Sequence, residues 1–481
     1  MLSFHTPFKQ VWSKLKADTI SNRFTLDFIS LLESKLDAKF VFNDDSIPFN
    51  KLDLIDLFEI ASKLRKAGIL NDVFAQHDSP DEPPFFKWLV ECNTDKIKEF
   101  AGGMSIDNDR NALTAALAEA VERYLWWSTT DYFEKPELGT SEQILKRLPA
   151  IAPEKFVSYS ESQRQSHSCY ELNKDSSFLW IRGYSHTQAK SIWLPAQVVS
   201  AAHTLRPDTK EPHILSSITN GLATGPTKEF ALLNGTMELV ERDAFLITWL
   251  NQLTPEKINL DSLAETDSRV KKLVTLCERY HLTLSVVILP TDAPAHAVCA
   301  VVQDSSNVGV EVTVGLKAHR ELSTAVVGAT LEALRIRKTV RFRNKHSPIS
   351  PDKKASEIER SERSQFWGRS GSSANIAFLV KGESVTPEKA VWENDSIEEH
   401  WQRFIKWSIE NNYEITSVNL SKSKKNVSPW QIHHVVMPQF QQMYLNEKMP
   451  YLTGKRLTSV PEKFGFMPRK VPFTDLPHPF D

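Results

Sequence analysis

The chain has 481 residues, 41% of them hydrophobic, enough to bury a large core and to build more than one structural unit. Lys and Arg number 58 against 60 Asp and Glu, and the formal charge of -2 excludes the strongly basic surface of a general nucleic-acid binder. Cys92, Cys169, Cys277 and Cys299 are too scattered for a zinc spacing or a disulfide framework, and no apolar run of membrane-spanning length occurs. With no recognisable signal peptide, these features predict a cytoplasmic protein.

In chain order, residues 1–84 read as a mainly helical accessory or docking region. Leu52–Leu70 has amphipathic spacing and a stop at Gly68, which suits a packing helix of an accessory bundle or the end of a winged helix. Asp78-Ser-Pro-Asp-Glu-Pro-Pro84 reads as a linker, leaving residues 85–481 as the second domain.

Two helical runs then repeat one pattern. Asn111–Trp127 carries Glu119-Ala-Val-Glu122-Arg123, and Phe230–Leu250 carries Glu238-Leu-Val-Glu241-Arg242. Glutamates at i and i+3 share a helix face, whereas the residues around them are apolar on nearly every side, the mark of a buried helix. A lone Glu-x-x-Glu-Arg is ordinarily a salt-bridged, solvated set. Two copies in buried-looking helices demand a cation, because uncompensated buried carboxylates are strongly destabilising. Magnesium carried on a nucleotide phosphate fits, which makes Glu119, Glu122, Glu238 and Glu241 candidate metal ligands.

Each run follows a glycine-bearing segment. Ser216–Glu229 offers Gly221 and Gly225 for tight turns and Thr227 as a helix cap, so free N–H groups and a positive helix end can face an oligophosphate. No Gly-Lys-Ser/Thr follows, which excludes a P-loop. Gly102-Gly-Met-Ser-Ile-Asp-Asn-Asp109 repeats the arrangement ahead of the first helix.

Beyond these, Phe178–Ile181, Leu282–Leu289, His296–Val302 and Val310–Val314 are strand candidates, the last two joined as a hairpin. Lys338–Ser373, basic and serine-rich, reads as a solvated mobile loop. His167, His186, His203, His213, His319, His433 and His434 lack zinc spacing and read as structural; His433 and His434 on one strand point to opposite faces.

Gly102–Tyr124 and Asn220–Ala244 resemble the YcaO family, whose signature joins a first helix ending Glu-x-x-Glu-Arg to a block Asn-Gly-Leu-Ala-x-Gly-x-Thr that runs into Glu-x-x-Glu-Arg-Asp-Ala. Gly315–Arg337 resembles the family's late helix. The resemblance implies an α+β fold of mixed sheets flanked by helices, with ATP and Mg2+ as cofactors. It implies a chemistry in which a peptide amide is activated by phosphorylation after a neighbouring Cys, Ser or Thr adds to its carbonyl, giving thiazolines or oxazolines. Charge neutralisation by magnesium and arginine and positioning supply such catalysis.

Carried over residue by residue, the resemblance assigns Glu119, Glu122, Glu238 and Glu241 to metal and phosphate. It assigns Arg242 and Arg337 to the nucleotide, with Arg123 in the equivalent place after the first pair and Thr227 in the cradle. Ser105 stands where other members often carry lysine, Pro226 replaces asparagine, Phe230 replaces glutamate and Arg335 replaces glutamine. Glu229 substitutes for the missing glutamate if the helix start shifts by one. Glu238, Glu241 and Arg242 are the expected catalytic centre. The tail Val471–Asp481 resembles the proline-rich ending of azoline-forming members, which enters the active site; His478 is expected there as a proton-transfer group, beside Asp481.

Expected partners are a ribosomally made precursor peptide, a separate leader-binding E1-like protein with a peptide recognition element, a flavin-dependent azoline dehydrogenase and a second copy of the chain, but neither nucleic acid nor membrane. Thioamide formation, amidine formation and a non-catalytic scaffold are the rival readings. Loss of water from the peptide distinguishes ring formation from exchange of oxygen for sulfur.

Overall fold

Asp53 accepts hydrogen bonds from the Ile55 and Asp56 amides while the Asp56 carboxylate accepts one from the Asp53 amide, a capping box that starts helix α1 (Leu54–Lys66). Gly68, at φ +73°, turns the chain out of it into strand β1 (Leu70–Ala75). β1 pairs antiparallel with β2 (Phe86–Cys92), and β2 with β3 (Glu99–Ser105), closing a three-stranded sheet. The strand pair β1–β2 spans the boundary expected at residue 84, and the described part of the accessory region holds a strand as well as a helix. The computed structural model describes residues 29–30, 48–76, 80–93, 99–128, 133, 135–166, 170–200, 211–216, 218–306, 309–421, 428–470, 474 and 476–480.

Those residues fall into two units. One takes its described residues from 1–78, 85–124 and 425–429, and the other from 79–84, 125–424 and 430–481. Helix α2 (Asp109–Ser128) follows β3 in the first and runs on past Tyr124.

The second unit holds two sheets. Strands β4 (Glu137–Thr140), β5 (Ser177–Ser185), β6 (Lys190–Pro195) and β7 (Leu222–Gly225) join two later strands in a six-stranded sheet; a five-stranded sheet contains β8 (Lys257–Ile258), β9 (Leu282–Ile288), β10 (His296–Asp304), β11 (Val312–His319) and β12 (Ser384–Val385). With β13 (Thr416–Asn419) and β14 (Gln431–Val436), the six-stranded order is β4-β5-β13-β14-β7 with β6 paired to β5, and the five-stranded order is β11-β10-β9-β8-β12.

Helix α3 (Lys228–Asn251) lies between these sheets, packing on β7 and β14 and also on β10 and β11. Eighteen of its 24 residues are buried, which explains why its sequence shows no polar face. Helices α7 (Ile397–Glu410) and α8 (Arg456–Lys463) pack on it, and the unit also holds α4 (Ser268–Arg279), α5 (Leu322–His346) and α6 (Arg363–Trp367). The family resemblance is corrected at one edge: Gly315–His319 belongs to β11, and the late helix starts at Leu322.

The expected loop over Lys338–Ser373 is also corrected. α5 continues through His346, and further on Arg363 is completely buried. The basic residues there bind partners: Arg341 pairs with Asp81 and Glu82 of the Pro80–Pro84 stretch, and Arg343 donates to the Ser361 carbonyl. His167, His203 and Cys169 lie outside the described residues. None of the described helices is long and apolar enough to cross a membrane.

On β14, His433 and His434 face opposite ways as expected. His434 sits between the Val199 and Asn220 carbonyls, while on the other face His186 adds to the burial that disfavours a charge on His433. Burial pushes His186 and His434 down to about 4 and His433 to about 3. All three are therefore neutral when folded, and below about pH 6.5 the unfolded chain takes up protons first. Stability is pH-independent on their account above that value and falls as pH drops toward 4, by about 2 kcal/mol per histidine at pH 5. Urea unfolding followed from pH 7 to pH 5 is expected to show this loss, and His434→Gln to flatten its slope by about one proton.

Candidate active site

Four glutamates share one pattern of bonding. In each, Oε2 accepts a backbone N–H and Oε1 is turned toward an arginine. Glu238 Oε2 takes the Gly221 amide at 3.0 Å, Glu241 Oε2 the Ala318 amide at 2.9 Å and Glu332 Oε2 the Leu316 amide at 2.6 Å. In the other unit, Glu119 Oε2 takes the Gly102 amide at 2.9 Å.

The donors come from strands at sheet edges, whose outward N–H groups have no strand neighbour. β3 ends the three-stranded sheet, Gly221 immediately precedes the edge strand β7, and β11 is the edge of the five-stranded sheet. An unpaired edge amide needs an acceptor once covered by a helix, and the glutamate supplies it. Close helix–strand approach makes the reach possible. A β-carbon at Gly103 would overlap the Ala112 carbonyl and the Ala116 nitrogen of α2. Gly221 has φ +85°, open to glycine at no steric cost, and a β-carbon there would overlap the Val435 carbonyl. Gly102 and Gly103 thus serve as strand residues, where a turn was expected.

Arg242 collects the carboxylates of its unit. Its guanidinium stands 3.0 Å from Glu241 Oε1 and 3.5 Å from Glu238 Oε1. Burial opposes its charge, yet Glu241, Glu238 and Glu332 together hold it protonated well above the ordinary arginine range. Burial pushes the Glu238 carboxyl up, against the pull of Arg242. Glu332, which the sequence reading missed, faces Arg335 at 3.7 Å. Its signal was a spacing: it follows its amide donor by 16 residues, where Glu119 and Glu238 follow theirs by 17.

In the other unit Arg123 binds Glu119 Oε1 through Nε at 2.9 Å and Nη2 at 2.7 Å, and pairs with Glu99 as well. Glu122 lies three residues on, half-buried on the same helix.

Among the described residues, no three acidic, histidine or cysteine side chains stand in a ligating arrangement. Arg242 bridges Glu238 and Glu241 instead. The donor chemistry still suits magnesium: hard carboxylates with one oxygen fixed by the backbone and the other already directed at a cation.

Other predicted residues have definite places. Thr227 caps α3, its hydroxyl accepting the Phe230 amide at 3.2 Å, and Glu229 lies in the first turn near the positive helix end. The Ser105 hydroxyl accepts the Asp107 and Asn108 amides and shapes the turn into α2. Arg337 is buried and held by Asp304 at 2.8 Å, Glu82 at 3.3 Å and the Val310 carbonyl at 2.9 Å.

The tail does reach the central helix, with the Phe480 ring 5.6 Å from the Arg242 guanidinium and packed on Phe245. His478 is corrected: it is fully buried, Nε2 donates to the Tyr444 carbonyl at 3.0 Å and Nδ1 accepts the Phe480 amide at 3.3 Å. Burial, reinforced by Arg363, keeps it neutral, so it holds the tail and has no free nitrogen for proton transfer. Asp481 lies outside the described residues.

Residues 106–441 match the profile of a family described as YcaO cyclodehydratase, ATP- and Mg2+-binding. The chain belongs to the YcaO family. That family binds ATP and Mg2+. A structure described as a heterocyclase in complex with substrate and cofactor is similar with TM-score 0.70 and 19% identity, over 88% of this chain and 57% of that one. YcaO from Methanopyrus kandleri, bound with AMPPCP and Mg2+, is similar with TM-score 0.58 and 16% identity, over 82% of this chain and 92% of that one. An uncharacterized protein of Methanothermobacter thermautotrophicus is 27% identical over 232 residues, 47% of this chain and 55% of its own length. The chain thus spans about half the length of that relative. At these identities the solved structures establish the YcaO fold of mixed sheets and helices.

Removing the Arg242 charge leaves Glu238, Glu241 and Glu332 without their shared counter-ion. Arg242→Met is expected to lower stability by about 3 kcal/mol at pH 7, and by less in more acid solution, because burial pushes the Glu238 carboxyl up and loss of Arg242 removes the main pull against its protonation. Thermal unfolding with and without Mg2+ checks it: the metal should raise the melting temperature of the variant more than that of the parent.

Proposed function

We propose that this YcaO protein is an ATP- and Mg2+-dependent cyclodehydratase subunit that converts Cys, Ser or Thr of a ribosomally made peptide to thiazolines or oxazolines. The observation that carries the reading is the set Glu119, Glu238, Glu241 and Glu332, each anchored at Oε2 by a backbone amide on or beside an edge strand and presenting Oε1 to an arginine. Such preorganisation suits phosphoryl transfer, where fixed charges must already face the developing one.

In this reading Glu238 and Glu241 in one unit, and Glu119 and Glu122 in the other, are the magnesium ligands. Magnesium, when bound, neutralises charge on the transferring phosphoryl group. Arg242 steadies the phosphate oxygens, and Arg123 keeps Glu119 aimed. Thr227 and Glu229 set the helix start that faces the nucleotide. Ser105 supports that site through the turn it shapes. Arg337 acts indirectly, fixing α5 through Asp304 and Glu82, so that Glu332 and Arg335 are the α5 residues that face the carboxylate cluster.

The tail favours ring formation over thioamide or amidine formation. A segment containing Pro477 and Pro479 loses little entropy on ordering, and here it sets Phe480 against Arg242. The partners that complete the reaction are the precursor peptide, a leader-binding protein and a flavin dehydrogenase, with a second copy of the chain in the assembly.

High-resolution mass spectrometry of a candidate Cys/Ser-rich peptide, incubated with this protein, its partners, ATP and Mg2+, tests the proposal. Loss of one water per modified residue is expected, and Glu238→Gln should reduce its rate by about 100-fold or more. A mass gain matching oxygen exchanged for sulfur would replace the reading by thioamidation. No mass change with a competent partner set would leave a scaffold.

A further inference from the structure

Arg363 is an unusual residue to find at 0% exposure in a segment whose composition looks solvated. Its guanidinium reaches two stretches of chain that are distant in sequence. Nη2 donates to the Leu445 carbonyl at 2.7 Å, Nη1 to the Phe480 carbonyl at 3.2 Å, both to the Tyr444 carbonyl at 3.4 Å, and Nε lies 2.6 Å from Glu447 Oε1. A hydrophobic residue would serve stability as well, because desolvating a buried ion pair offsets much of its attraction. What arginine adds is geometry, a rigid fork of donors able to gather several carbonyls at once.

Other contacts tie the same tail segment to the same place. The Trp367 indole donates to the Pro477 carbonyl at 2.9 Å, and His478 links the Tyr444 carbonyl to the Phe480 amide. Pro477, His478, Pro479 and Phe480 are all buried. Their seating leaves the Phe480 ring beside the guanidinium of Arg242, which in turn faces Glu238 and Glu241.

We propose that Arg363 is a positioning residue for catalysis: it locks Pro477–Phe480 onto Tyr444–Glu447, so that Phe480 covers Arg242 and fixes that guanidinium toward Glu238 and Glu241. The effect on catalysis rests on the reading that Arg242 acts on the phosphoryl group; the lock itself does not. Without it Phe480 leaves, Arg242 gains rotational freedom, and the loss falls on the chemical step more than on nucleotide binding.

Carboxypeptidase trimming of the full chain, followed by mass spectrometry, reads the lock directly. Arg363→Lys keeps the charge but loses the fork, and Trp367→Phe removes one tail hydrogen bond should the lysine variant fold poorly. Either is expected to release residues past Pro477 about tenfold faster than the parent. In the peptide-modification assay the same variants should lose about tenfold in kcat while KM for ATP changes less than about threefold. Combined with Phe480→Ala, neither should cost more than about twofold beyond Phe480→Ala alone, since all act through one contact.

Trimming at the parental rate in a folded Arg363→Lys or Trp367→Phe chain overturns the lock. Losses that multiply in the double variants overturn its coupling to Arg242. If the protein modifies no peptide at all, the proposed function fails while the trimming result still decides whether Arg363 holds the tail.

Discussion

A carboxylate that accepts a hydrogen bond from an edge-strand amide has one oxygen fixed and the other free to meet a cation, and this YcaO protein builds its candidate centre from that bond. Each of its sheets ends beside a helix that must satisfy the outward N–H groups. A backbone carbonyl cannot reach from inside a helix, since it is bonded within the helix. A glutamate can, and it brings charge with it. The same interaction caps sheet edges and docks helices, and in the second unit it brings Glu238, Glu241 and Glu332 around Arg242.

Charge gathered in this way must be held in place by something other than water. α3 is the means: most of it is buried, and beyond Arg242 its polar residues Asp243, Thr248 and Asn251 each accept or donate a hydrogen bond. Directly after Arg242, Asp243 accepts from Arg456 and from the Gln441 amide, and near the end of the helix Asn251 accepts the Arg469 amide. Arg456 also binds Asp292 and Tyr413. Gln441, Arg456 and Arg469 are thus tied along the very helix that carries Glu238 and Glu241, by a series of buried polar contacts.

Much of this was legible in the sequence, for reasons that can be stated. The glutamate pairs stood out because apolar neighbours made them costly, and Thr227 because caps obey a short-range rule. The histidines of β14 alternated as a strand requires. What stayed hidden depends on long-range pairing. Glu332 lacks a second glutamate at i+3, so its one mark was the 16-residue spacing from Leu316, a donor known only from the fold. Arg337 looked available until Glu82 and Asp304, more than 30 residues away in each case, were found against it. Lys338–Ser373 was misread because a run of Lys, Arg and Ser has the same composition whether it meets water or carbonyls. Gly102 and Gly103 looked like a turn because glycine permits both a bend and a close approach, and only the packing of α2 chooses between them.

The 17-residue step from Gly221 to Glu238 acts as a ruler. An α-helix advances about 100° per residue, so one insertion or deletion inside α3 ahead of Glu238 would swing that carboxylate away from its amide and carry Glu241 and Arg242 round with it. Substitutions there can be absorbed one side chain at a time, but a change of length cannot. Over evolutionary time such a stretch should drift in composition while keeping its residue count, and length varies elsewhere, in the connections that no carboxylate measures.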